Sequence, residues 1–190
     1  YGYSKERDWF SRFQYCKKID SHSFLFVGTF AYRRAVFLLL GSFIVPGKIE
    51  IWGDRWGILK YWPLFKCHSK PIYNQKFRDK VKKNNFIFCF FNRRNKDEQN
   101  TRLISTIASY KIIVTEKTSV TKKILGENYP FQFGNLFEFI RILIMLKNLN
   151  FNLTEIQSYI NKARKIIYSY DNQIKFIIHE INRRCFTSKK

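Results

Sequence analysis

Short apolar runs that do not alternate with polar residues punctuate the chain, and segments of helical period separate them. Phe24-Leu25-Phe26-Val27 is the first, and its lack of alternation predicts a strand buried on both faces, ended by Gly28-Thr29. Tyr32 to Leu40 follows as an apolar helix, closed by Gly41 and Pro46. Lys48 to Trp52 predicts a second strand, leading to a loop with Gly53, Trp56 and Gly57. Residues 60–84 are basic, interrupted by Pro63 and Pro71, and have no sustained period, so they are expected to be a loop region with one helical turn near Gln75 to Lys82. Phe86 to Phe91 predicts a third buried strand. A helix opening near Asp97 runs through Tyr110, with Leu103, Ile104 and Ile107 as its inward stripe. Ile112-Ile113-Val114 predicts a fourth strand, and a loop then runs through Tyr129-Pro130. Asn135 with Glu138 has the spacing of a capping box for a helix reaching about Lys147, and Thr154 with Gln157 repeats the signal for a last helical region, 155–184.

Buried strands alternating with helices predict an α/β domain: a parallel, Rossmann-like sheet flanked by helices, with a helical C-terminal extension. The chain divides into a basic N-terminal segment (1–20), the α/β domain (21–150) and a basic helical extension (151–190). The longest apolar stretch, Ala35 to Val45, is too short to span a bilayer, so no membrane span is expected.

Charge changes the picture more than composition does. Thirty-five Lys and Arg against fourteen Asp and Glu give a formal net charge of +21, and so much self-repulsion implies a polyanionic partner. The basic residues run along the whole chain, which favours nucleic acid over a membrane surface, where one amphipathic helix would more often gather them. The excess of Phe, Tyr, Ile, Lys and Asn resembles translation from an AT-rich, organellar genome. The four cysteines lack metal-ligand spacing, and the three histidines stand in unrelated contexts. Gly28-Thr29 reads as a tight turn, because the G-x-G-x-x-G pattern and a ribose-binding acid are missing. Gly41 to Lys48 fails as a phosphate loop: five residues separate its glycines, and Ile49 replaces the needed hydroxyl. No catalytic residue, metal or cofactor is expected.

Several segments resemble the bacterial-type family of small-subunit ribosomal protein two. They are Phe24 to Thr29 entering a basic helix, Arg55-Trp56-Gly57-Ile58-Leu59, the Phe86 to Asn92 strand, and Tyr129-Pro130-Phe131-Gln132-Phe133-Gly134-Asn135. The N-terminal segment and coiled-coil insertion of that family are shortened here, and the last forty residues have no counterpart in it. The resemblance implies a flavodoxin-like sheet in a non-enzymatic constituent of the small ribosomal subunit, in an organelle and foremost the mitochondrion. Its partners would be small-subunit ribosomal RNA and neighbouring ribosomal proteins, with no small-molecule substrate. The basic clusters then become the RNA contacts: Arg33, Arg34, Arg55, Lys66, Lys70, Lys82, Lys83, Arg93, Arg94, Arg183 and Arg184. Trp52, Trp56, Tyr61 and Trp62 are read as core or interface before base-stacking platforms. The competing classes are an RNA-acting α/β enzyme, such as a nuclease or methyltransferase, and a peripheral membrane protein.

Overall fold

Strand formers without alternation build the centre of the sheet. In the computed structural model, which describes residues 23–91 and 101–167, β1 (Phe24–Val27), β4 (Phe86–Cys89) and β5 (Ile112–Glu116) are buried on both faces. They pair in parallel, with Phe24 opposite Phe86 and Ile87 opposite Ile113. On one side β2 (Ile49–Trp52) and β3 (Phe65–His68) extend the sheet, and on the other β6 (Gln132–Phe133) closes it. The order is β3-β2-β1-β4-β5-β6, all parallel. That is the doubly wound arrangement, with its direction of growth reversing between β1 and β4. The expected parallel α/β sheet is therefore present.

Among the described residues six helices surround it: α1 (Tyr32–Ile44), α2 (Asn74–Lys83), α3 (Thr101–Ala108), α4 (Ser119–Leu125), α5 (Leu136–Lys147) and α6 (Leu153–Ile166). Helices α1 and α5 pack on each other, and α6 packs on α3 and α4. Right-handed crossovers put α1 on the opposite sheet face from α3 and α4. The core is aromatic. Phe37 and Phe90 meet Phe133 and Phe139, with ring centroids 5.3–5.9 Å apart. Leu103, Ile104 and Ile107 face inward from α3 as their period predicts.

Four local expectations need correction. Residues 60–84 are not a loop region: they hold a 3-10 turn (Gly57–Tyr61), β3 and α2. Strand β3 is an edge, so only Phe65 on it is buried, and Lys66 and His68 give it a polar pattern. Nor does Gly41 end α1. It lies inside the helix, where an added Cβ would stand 2.8 Å from Leu143 Cδ1, so the glycine permits the close approach of α5. The segment between β5 and Tyr129 is not all loop: it contains α4, capped reciprocally by Thr118 and Thr121. Asn152, not Thr154, caps α6, accepting from Thr154 N at 3.0 Å and Glu155 N at 3.4 Å. Asn135 does cap α5, accepting from Glu138 N at 2.9 Å.

Tyr129 binds the sheet from within. Its hydroxyl donates to Ile113 O at 2.9 Å and accepts from Ile113 N at 3.2 Å, and burial pushes the phenol far above its usual range. Tyr129→Phe strands both backbone groups away from water, so unfolding in urea should show a loss of about 2 kcal/mol.

Candidate functional site

At the carboxyl ends of β1 and β2 the sheet opens into a cleft of about 460 Å³. It is lined by Val27, Gly28 and Thr29 from the β1–α1 turn, Gly53 and Asp54 after β2, the Pro71–Asn74 approach to α2 with Phe77, and Arg102 and Ser105 of α3. Because α3 follows β4, these residues converge where the sheet's growth reverses. Open α/β sheets bind ligands at that point.

The floor of the cleft depends on two glycines. Gly28 N donates to Trp52 O at 2.7 Å, and Phe30 N donates to Asp54 O at 2.9 Å, so the turns after β1 and β2 are stitched together. A Cβ on Gly53 would lie 2.0 Å from Gly28 O. Trp56 is fully buried beneath them. Its indole N–H donates to Gly28 O at 3.0 Å, and its ring meets Phe26 and Phe30 edge-on. Trp56 is thus a core buttress. Arg102 extends over the Gly28 backbone and donates from Nη1 to Val27 O. An added Cβ on Gly28 would stand 2.7 Å from that nitrogen. Burial draws the Arg102 guanidinium below its ordinary range, although a guanidinium stays charged near neutrality. The adjoining α1 has no acidic residue in its first turn, and its N-cap Ala31 makes no side-chain cap bond.

Beside the cleft, Arg33 forms an ion pair with the buried Glu116, which also accepts from Phe91 N at 3.3 Å. At the β2–β3 edge Lys80 Nζ lies 2.6 Å from Glu50 Oε1, with His68 Nε2 at 3.5 Å. Burial works to raise the Glu50 carboxyl, but the Lys80 hydrogen bond and charge, together with Trp52 and Asn84, more than offset it, holding the group below its ordinary 4.5. A depressed carboxylate contributes stability that is fully present above its unfolded pKa and lost as pH falls through the folded value. Glu50→Gln should therefore flatten the acid limb of the stability profile below about pH 5 in urea titrations, and leave its neutral limb parallel.

The structure scatters the sequence-predicted RNA contacts. Arg33 pairs with Glu116, and Arg34 Nη1 donates to Thr29 O at 3.2 Å. Arg55 and Lys70 are exposed beyond β2 and β3 at the cleft's end of the sheet. Lys66 stands on β3, and exposed Lys82 and Lys83 end α2 beside the start of β4, at the opposite end of the strands. Arg93, Arg94, Arg183 and Arg184, like segment 1–20, lie outside the described residues. No residue motif singles out Asp54 or Arg102 in the sequence. Asp54 stands two residues past β2, where a doubly wound sheet places its ribose-binding acid. Finding it needs the strand's end and not a residue motif. Arg102 gives no signal, because its reach over Gly28 is tertiary. Burial pushes the Cys67 thiol to about 11 and Cys89 to about 12, so both stay protonated. Among the described residues no group of three potential metal ligands occurs, and no helix is long and apolar enough to cross a membrane.

By sequence, the chain matches no protein-family model and no curated protein. By structure it is similar to glycosyltransferases. One is the α,α-trehalose 6-phosphate synthase of Burkholderia multivorans, at TM-score 0.61 and 7% identity over 88% of this chain and 44% of that one. The C-terminal domain of a glycosyl transferase group 1 family protein from Francisella tularensis matches at TM-score 0.56 and 10% identity, over 76% and 83%. The trehalose-6-phosphate enzyme of E. coli, bound with UDP-2-fluoro glucose, matches at 0.53 and 13%, over 88% and 43%. The chain thus spans less than half the length of the two trehalose enzymes. At these identities the likeness establishes the fold.

The same findings correct the functional expectation. The solved structures named above, to which this sheet is similar, are of sugar-transfer enzymes and not of constituents of a ribosome. The reading as a non-enzymatic protein of mitochondrial translation, partnered by ribosomal RNA and without a small-molecule substrate, is overturned with it. The physical source of the error is that short landmarks such as Phe24 to Thr29 encode a buried strand and a turn, which many parallel sheets share.

Proposed function

We propose that this chain is the nucleotide-binding half of an enzyme that transfers a sugar from a nucleoside diphosphate donor. The reading rests on one observation: a half-buried guanidinium, Arg102, lies across the glycine turn on the floor of a switch-point cleft. The diphosphate lies against Arg102 and the Gly28-Thr29 turn, at the uncapped N-terminus of α1. Asp54 accepts from the ribose hydroxyls, and Ile72, Tyr73 and Phe77 form the apolar wall for the base. In the transfer, an acceptor hydroxyl oxygen bonds the anomeric carbon and gives up its proton to water, the bond from that carbon to the phosphate oxygen breaks, and negative charge builds on the leaving diphosphate. A fixed cation in a partly dry cleft stabilises that charge more than it stabilises the donor. Support comes from the fold shared with sugar-transfer enzymes, one of them bound with a uridine diphosphate sugar.

Thermal unfolding with UDP, UDP-glucose or uridine tests the reading. Both diphosphates should raise the melting temperature, by an increment equivalent to about 2.7 kcal/mol at a hundredfold excess over Kd, and uridine should do far less. Equal shifts for all three, or none, would contradict it.

A further inference from the structure

The helices on the α1–α5 side of the sheet are apolar on both faces. Ala35, Phe37, Leu38 and Gly41 of α1 are buried, as are Phe139, Ile142, Leu143 and Leu146 of α5. On the opposite side of α1, Tyr32 is 80% exposed, Leu40 39% and Phe43 59%, at the i, i+8, i+11 spacing of a single helix face. On α5, Phe137 is 87% exposed and Ile144 45%, seven residues apart. Phe43 also meets Trp62 edge-on at 5.8 Å, next to the exposed Tyr61, so the apolar surface continues onto the 3-10 turn. Isolated exposed apolar residues are ordinary, but a two-helix face carrying this many large ones is not.

The charges on this face have one sign. Helix α1 contains no acidic residue, and the one acid of α5, Glu138, is engaged by Lys117 at 3.1 Å. Arg141 and Lys147 are exposed on α5, Lys48 stands just beyond α1, and Lys60 lies over the Tyr61 ring. A second copy would bring cation against cation with no acid to pair. A nucleic-acid backbone would take the cations but leave Leu40, Phe43 and Ile144 without an apolar medium. An anionic bilayer satisfies both chemistries: aromatic and aliphatic side chains enter the headgroup boundary while Lys and Arg meet lipid phosphates.

We infer that the outer face of α1 and α5 docks on the surface of an anionic lipid bilayer. The cations scattered along the sequence favoured nucleic acid, and only folding brings the exposed apolar residues onto one face. The inference is independent of the nucleotide cleft, so either can fail without the other.

Co-sedimentation of the nuclease-treated full chain with vesicles tests it, comparing phosphatidylcholine alone with phosphatidylcholine–phosphatidylglycerol. The double variant Phe43→Ser, Phe137→Ser removes two exposed rings and should keep the parent's melting temperature and UDP response. The parent should bind the phosphatidylglycerol vesicles, and the double variant should bind them about tenfold or more weakly. Equal binding by parent and variant means charge adsorption alone, and overturns the docking face. So does failure of the parent to bind. Self-association of the parent that the double variant abolishes assigns the face to a second copy, and overturns the inference as well.

Discussion

Arg102→Met is expected to weaken UDP binding by about thirtyfold or more while the fold survives. The size follows from the chemistry of a charge-assisted bond: losing one to a phosphate oxygen in a partly buried site costs about 2 kcal/mol. Survival of the fold follows from the cost Arg102 already carries. Its guanidinium is partly drawn out of water where it donates to Val27 O, and burial depresses its pKa. Replacing a buried charge with an apolar side chain of similar length is often neutral or stabilising. Calorimetric titration measures the first effect and urea unfolding the second. A variant that binds UDP like the parent would remove Arg102 from the site. One that unfolds would make Arg102 a structural strut.

Gly53→Ala should cause the largest loss of stability among single substitutions near the cleft, about 4 kcal/mol or more. The new Cβ would meet Gly28 O at 2.0 Å and Gly28 C at 2.5 Å. Both are backbone atoms fixed by the strand ladder, so no side chain can move aside. Relief requires separating the β1 and β2 turns, which also breaks the Phe30–Asp54 and Trp56–Gly28 bonds. Gly47→Ala is the control. Its φ of +70° disfavours a side chain, but nothing lies within 4 Å, so it should cost only about 1 kcal/mol. Similar denaturation midpoints for the two variants would show that the turns are not locked as described.

The same two turns mark how far the sequence could be read. Buried strands announce themselves, because a strand covered on both faces needs an unbroken apolar run: Phe24–Val27 and Phe86–Cys89 have nothing else to display. Edge strands do not. Phe65–His68 shows one buried residue, and Gln132–Phe133 is two residues long. The cap of α5 was legible because Asn135 and Glu138 are close in sequence. The cleft was not, since it joins the ends of β1 and β2 with a side chain from α3, and no local pattern records that meeting. The basic clusters misled for a related reason. Lys82 and Lys83 lie at the amino ends of the strands and Arg33 and Arg55 at the carboxyl ends, and Arg33 is bound to Glu116. A count of charges carries none of this geometry.

The chemistry proposed for the cleft depends on a nucleoside diphosphate binding at the switch point. Chemical-shift mapping of the amide-labelled chain during titration with UDP tests it most directly. Saturable shifts are expected at Gly28, Thr29, Gly53, Asp54 and the Arg102 side chain, while Lys82 and Lys83 remain still. Shifts spread over the exposed lysines without saturation, or confined to the amino ends of the strands, would contradict it.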